Sequence, residues 1–116
     1  MRIHNIYADA KGESHIRDLE IEWARNGPMG KISDPVPVLS MAFRTTDGNY
    51  DLDWHNAPRR QYIINLEGSV EITTSDGESR VIGPGEIILA EDTTGKGHLS
   101  KAVDRGARRS LVIPIE

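Results

Sequence analysis

The sequence predicts an all-β chain closed into a sandwich or barrel, and three observations carry that expectation. Turn signals recur at short intervals, at Asn26-Gly27-Pro28, Asp47-Gly48-Asn49, Asp76-Gly77 and Gly83-Pro84-Gly85. Each supplies residues that tolerate positive φ or fix a turn. The segments between them alternate apolar and polar residues or are rich in β-branched ones, the period-two signature of strands. Helical periodicity is weak: residues 16–24 are the best candidate, and their apolar side chains fall at alternate positions, which favours a strand.

Taken in order, Leu19-Glu20-Ile21-Glu22-Trp23 alternates cleanly and reads as a strand. The stretch Asp34-Pro35-Val36-Pro37-Val38 is too short for a linker and reads as the entry to an edge strand, where a missing N–H costs little. Residues 62–66, 70–73, 86–90 and 111–115 are further strand candidates. From 61 to 90 the string runs strand, Gly68, strand, Ser75-Asp76-Gly77, strand, Gly83-Pro84-Gly85, strand, and an antiparallel meander is its natural folding.

Composition narrows the function classes. The chain has 116 residues, a length suited to one domain over 1–116, and no cysteine, so disulfides, thiolate catalysis and cysteine-held metals are excluded. Eighteen acidic and fourteen basic side chains give a net charge of −4, which argues against nucleic-acid and acidic-membrane partners. Residues 105–109 are basic but short and read as a solvated turn. No apolar run approaches the roughly 20 residues of a membrane span. The first residues lack the apolar stretch of a secretory signal, so a cytoplasmic location is expected.

The pattern Gly68…Gly83-Pro84-Gly85-Glu86-Ile87-Ile88-Leu89-Ala90…His98 resembles the cupin superfamily. There a glycine closes the first motif and a Pro-Gly-Asp/Glu turn opens the second, which ends in a histidine. The resemblance covers roughly residues 48–103 and implies a small single-domain cupin, a double-stranded β-helix or jelly-roll barrel. It also implies a divalent transition metal held by two histidines two residues apart, a glutamate and a third histidine.

That ligand set is degenerate here. In the strict register the two histidine positions fall on Trp54 and Asn56; shifted by one, they fall on His55 and Ala57. Gln61 takes the glutamate position in both. The remaining donors are His55, Gln61 and His98, and a neutral amide is a poorer ligand than a carboxylate. Glu91 or Asp92 in the adjoining loop could supply a carboxylate.

The run from Asp53 to Tyr62 is the densest in functional side chains. Alternation puts either Trp54 or His55 inward, but not both. Gln61, Ile63 and Asn65 share one strand face, and Tyr62, Ile64 and Leu66 share the other. The polar pair points to a lined cavity, although solvent exposure of Gln61 and Asn65 gives the same alternation. One of Arg59 and Arg60 could clamp an anion, or both could pair with surface carboxylates. The segment 91–98 reads as a rim loop over the barrel mouth, or as a plain polar turn; its Gly-Lys does not complete a phosphate loop. His4 and His15 lie in polar segments and are expected at the surface.

Three functions remain open. The first is a cavity that binds a small polar or anionic ligand through Trp54, His55, Arg59, Gln61, Glu91 and His98. The second is an isomerase, lyase or oxygenase using a metal on His55, Gln61 and His98, or using His55 or His98 as acid–base. The third is a structural module. The resemblance implies a homodimer under all three.

Overall fold

Alternation and turn chemistry produce twelve short strands and no helix in the computed structural model, which describes residues 1–116. No helix is therefore long and apolar enough to cross a membrane. The strands are β1 Arg2–Ala8, β2 Ser14–Glu20, β3 Arg25–Gly27, β4 Gly30–Ile32, β5 Ala42–Thr46 and β6 Asp51–His55. They continue with β7 Gln61–Glu67, β8 Val70–Thr74, β9 Ser79–Ile82, β10 Ile87–Ala90, β11 His98–Ala102 and β12 Arg108–Pro114. Six form one sheet in the order β2-β1-β10-β7-β12-β5, and four form a second in the order β6-β11-β8-β9. The hairpin β3–β4 stands apart from both. This is an all-β jelly roll.

The predicted meander does not form. β7 pairs with β10 and β12, whereas β8 pairs with β9 and β11, so the chain changes sheets between β7 and β8 and again between β9 and β10. Gly68 makes the first crossing. Its φ is +74°, and a Cβ there would lie 2.3 Å from the Ala107 carbonyl oxygen, so only glycine lets the two backbones pass. At the second crossing Gly83 N–H donates to Glu86 Oε2 at 2.7 Å. That bond and the adjoining His4 hold the Glu86 carboxyl below its ordinary pKa. The glutamate of the Pro-Gly-Glu turn thus closes the turn itself.

Inward residues of both sheets form the core: Ile6, Ile16, Val70, Ile72, Ile82 and Ile88. Burial of each such side chain contributes about 1.5–3 kcal/mol. His4 belongs to this interior too, 2% exposed, which corrects its expected surface position. Its Nε2 lies 2.9 Å from Glu86 Oε1, and its Nδ1 accepts from Arg80 at 3.1 Å, so the ring is fully partnered. His15 is half-buried between Asp9 and Asp76.

Two strand expectations shift. β2 starts at Ser14 and ends at Glu20, so Trp23 lies beyond it and is exposed. Residues 33–38 form no strand of their own and border the outer face of the six-stranded sheet; the edge strand they lead to, β5, begins only at Ala42.

Candidate functional site

A cavity of about 200 Å³ opens between the two sheets, and its polar lining comes from five strands or their ends. The histidine side is built by cross-strand pairing. His55 on β6 and His98 on β11 are register partners, so their side chains leave the sheet on the same face. Their ring centroids are 4.3 Å apart. Gly97 allows that approach, because with φ +73° a Cβ there would lie 2.2 Å from the His55 carbonyl oxygen.

Each ring is oriented by a bond to Nδ1. His98 Nδ1 lies 2.5 Å from Asp92 Oδ2, and His55 Nδ1 lies 2.7 Å from the Asp53 carbonyl oxygen. A carbonyl and an ionised carboxylate can only accept, so both rings carry a hydrogen on Nδ1. In the neutral rings this leaves the Nε2 lone pairs free of protein partners. Asp92 has no exposed surface, and its Oδ1 has no partner, so its side chain engages the protein through His98 alone.

The opposite wall is cationic. Arg108 on β12 is 6% exposed and lines the cavity, yet its guanidinium forms no ion pair. Its nearest aromatic neighbour is Tyr50, with the guanidinium carbon 5.8 Å from the ring centroid. Arg44 on β5 also lines the cavity and sits diagonally across the ladder: Arg108 opposes Thr46, and Arg44 opposes Ser110. Burial first, and the Arg44 charge second, push the Arg108 pKa below its usual value. Between the walls, Tyr50 Oη and Ser100 Oγ share a 2.5 Å hydrogen bond.

Of the sequence-derived site residues, the structure brings His55, Gln61 and His98 to this cavity. Trp54 is a correction: parity turns it outward, 48% exposed, once His55 points in. Arg59 is another, since it lies exposed in the segment after Pro58, outside the cavity lining. Glu91 is a third. It accepts from Asn5 at 2.8 Å and from Arg60 at 2.7 Å, so it braces the outside of the barrel.

Sequence reasoning missed Arg44, Tyr50, Ser100 and Arg108, and it missed Asp92 as the partner of His98. The segment 105–109 is no uniform solvated turn. Arg108 and Ser110 share a face of β12 and are both buried, a period-two signal present in the sequence.

The donor set does not fit a tightly bound divalent metal. His55 and His98 offer two Nε2 atoms and Gln61 a neutral amide, no acidic side chain lines the cavity, and the Asp92 carboxyl is committed to the far nitrogen of His98. No group of three or more histidine, cysteine or acidic side chains with ligating geometry occurs. Such sites ordinarily require three strong donors.

No family model matches this sequence, and no curated protein matches it. Among solved structures it is similar to SPY1581 of Streptococcus pyogenes, a conserved protein of unknown function: 23% identity, 72% of this chain, 71% of that one, TM-score 0.52. It is similar to NMB1881 of Neisseria meningitidis at 17% identity, over 69% of this chain and 81% of that one, TM-score 0.50. It is also similar to a putative ethanolamine utilization protein Q of Salmonella typhimurium at 14% identity, over 97% and 94% of the two chains, TM-score 0.50. At these identities the likeness concerns the fold alone, an all-β jelly roll.

Proposed function

We propose that the chain binds a small organic acid in the barrel cavity, with its anionic group on Arg108 and Arg44 and its polar end toward His55 and His98. The observation that carries this reading is the buried, unpaired Arg108 guanidinium facing a second arginine. Removing a cation from water costs several kcal/mol unless an anion compensates. The protein supplies no such anion, so the ligand does. Guanidinium groups are well suited to the planar fork of a carboxylate.

The cavity, at about 200 Å³, is smaller than the roughly 300–1,000 Å³ typical of drug-sized ligands, so the acid is small. Its far end meets Nε2 lone pairs and therefore carries a hydroxyl, an N–H or an acidic C–H. The test is a thermal-shift series with mono- and dicarboxylates and inorganic phosphate, run in parallel on Arg108→Met. Selective stabilisation of the wild type alone supports the assignment, because native-state binding raises the melting temperature by mass action. Equal shifts in both proteins, or none in either, would overturn it.

The Asp92–His98 pair supports a second reading, a metal-free enzyme acting on the same acid. His98 Nε2 would accept a proton from the bound ligand while buried Asp92 stabilises the resulting imidazolium. Solvent-deuterium exchange into the ligand, lost in His98→Gln while binding persists, separates this enzyme from a pure binder.

A further inference from the structure

From Glu22 to Thr45 every residue except Ser33 is exposed, although this stretch is rich in apolar side chains. Met29 at the tip of the β3–β4 hairpin is 102% exposed, and Phe43 is 78% exposed. The hairpin pairs only with itself. The whole chain exposes 7249 Å², against about 6,300 Å² for a compact monomer of this mass. Its radius of gyration, 14.6 Å, likewise exceeds the roughly 13.4 Å of a compact chain of this length. The excess, roughly 900 Å², is close to the share of about 800 Å² that one partner buries in a standard interface.

A receptor of matching chemistry lies on the same molecule. The outer face of the six-stranded sheet holds a groove of about 520 Å³, floored by Tyr62, Ile64, Ile87, Leu89 and Ile113. Its lips carry Glu20, Glu22 and Asp34, all acidic. The hairpin, residues 25–32, carries Arg25 and Lys31, both basic, beside apolar Met29 and Ile32.

We propose that this hairpin is an exchange arm, received by the outer groove of a second copy of the chain. Arm and groove adjoin in sequence, since residues 19–22 and 33–38 border the groove and 25–32 form the arm. One two-fold axis therefore lets both copies exchange arms reciprocally, the closed arrangement favoured by homodimers. The arrangement covers apolar Met29, Ile32 and the groove floor, and it places Arg25 and Lys31 against the acidic lips. It is independent of the cavity and of any ligand there.

The test is sedimentation equilibrium of the full chain at micromolar concentration, with two sets of surface charge reversals. Arg25→Glu with Lys31→Glu, and separately Glu20→Lys with Glu22→Lys, should each weaken the dimer at least about tenfold, and the combined variant should restore it. These residues are exposed, and circular dichroism checks that each variant remains folded. Because the chain has no cysteine, Met29→Cys with Ile64→Cys reports the seating directly. A disulfide between chains supports the exchange. A disulfide within one chain, a monomeric wild type, or a dimer indifferent to both reversals would each overturn it.

Discussion

Arg108 and Arg44 lie diagonally across the β12–β5 ladder on its cavity face, and neither makes an ion pair. Arg108 is buried and Arg44, though exposed, lines the same cavity, so the two like charges repel each other and raise the free energy of the empty protein. Replacing one with an apolar side chain of similar length therefore has opposite effects on stability and on function. Arg108→Met is expected to stabilise the ligand-free protein by about 1–3 kcal/mol. The same substitution removes the thermal shift produced by any bound acid. Urea denaturation without added anion reads the first effect, and a less stable variant would mean that the guanidinium has a partner in the empty state.

The 2.5 Å contact from Asp92 Oδ2 to His98 Nδ1 fixes the tautomer and orientation of a ring at the cavity wall. Asp92→Ala leaves that Nδ1 hydrogen without its buried acceptor, at a cost of about 1–3 kcal/mol. It also frees the ring to exchange tautomers. Imidazole nitrogen NMR should report a hydrogen held on Nδ1 of neutral His98 in the wild type and a mixture in the variant. An unchanged tautomer in Asp92→Ala would assign the control to something other than this carboxylate.

The strand content between 61 and 90 was legible because each segment is local: β-branched runs, alternation and Gly-containing turns fit into a few residues. Strand order was not, because whether Gly68 closes a hairpin or a crossing depends on Ala107 and Arg108, some 40 residues away. The same division runs through the site. His55 and His98 stood out by residue type, but their pairing across β6 and β11 and the role of Asp92 are long-range facts. Trp54 and His55 differed only in parity, which Pro58 prevents from being carried back from β7. Arg108 lay within reach of sequence reasoning: its alternation with Ser110 marked one face of a strand, hidden by the basic residues around it.

Gly97 carries the histidine pair, so its substitution separates local strain from site geometry. A Cβ would strike the His55 carbonyl, whereas at Gly77, also at positive φ, a Cβ meets nothing within 4 Å. Gly77→Ala should cost about 1–2 kcal/mol from the left-handed backbone alone. Gly97→Ala should cost more, about 2–4 kcal/mol, and should also weaken ligand binding by moving β6 away from β11. Equal costs in chemical denaturation, with ligand response intact in both, would show that the backbone contact does not set the position of His55.

His15 joins the β1–β2 turn to the β8–β9 turn, with Nε2 at 2.8 Å from Asp9 and Nδ1 at 3.0 Å from Asp76. The hydrogen bond to Asp9 raises its pKa above 6.5; modest desolvation works against this, and Asp76 adds to it. Both carboxyls are held below 3.8, Asp9 chiefly by its bond to His15. Asp76 stays low despite its own desolvation, through bonds from Thr74 and Glu78 N–H and then from His15. A raised histidine pKa stabilises the fold fully below the unfolded value of 6.5 and ceases to do so as pH rises through the folded value. The lowered carboxyls contribute above 3.8 and lose that contribution as pH falls through their folded values. The bridge is therefore complete only in mildly acidic solution. His15→Gln should lower the melting temperature more at about pH 5.5 than at about pH 8.5, the difference narrowing as the wild-type imidazolium loses its proton. A deficit that is constant across that range would show that His15 joins the turns by packing, not by charge.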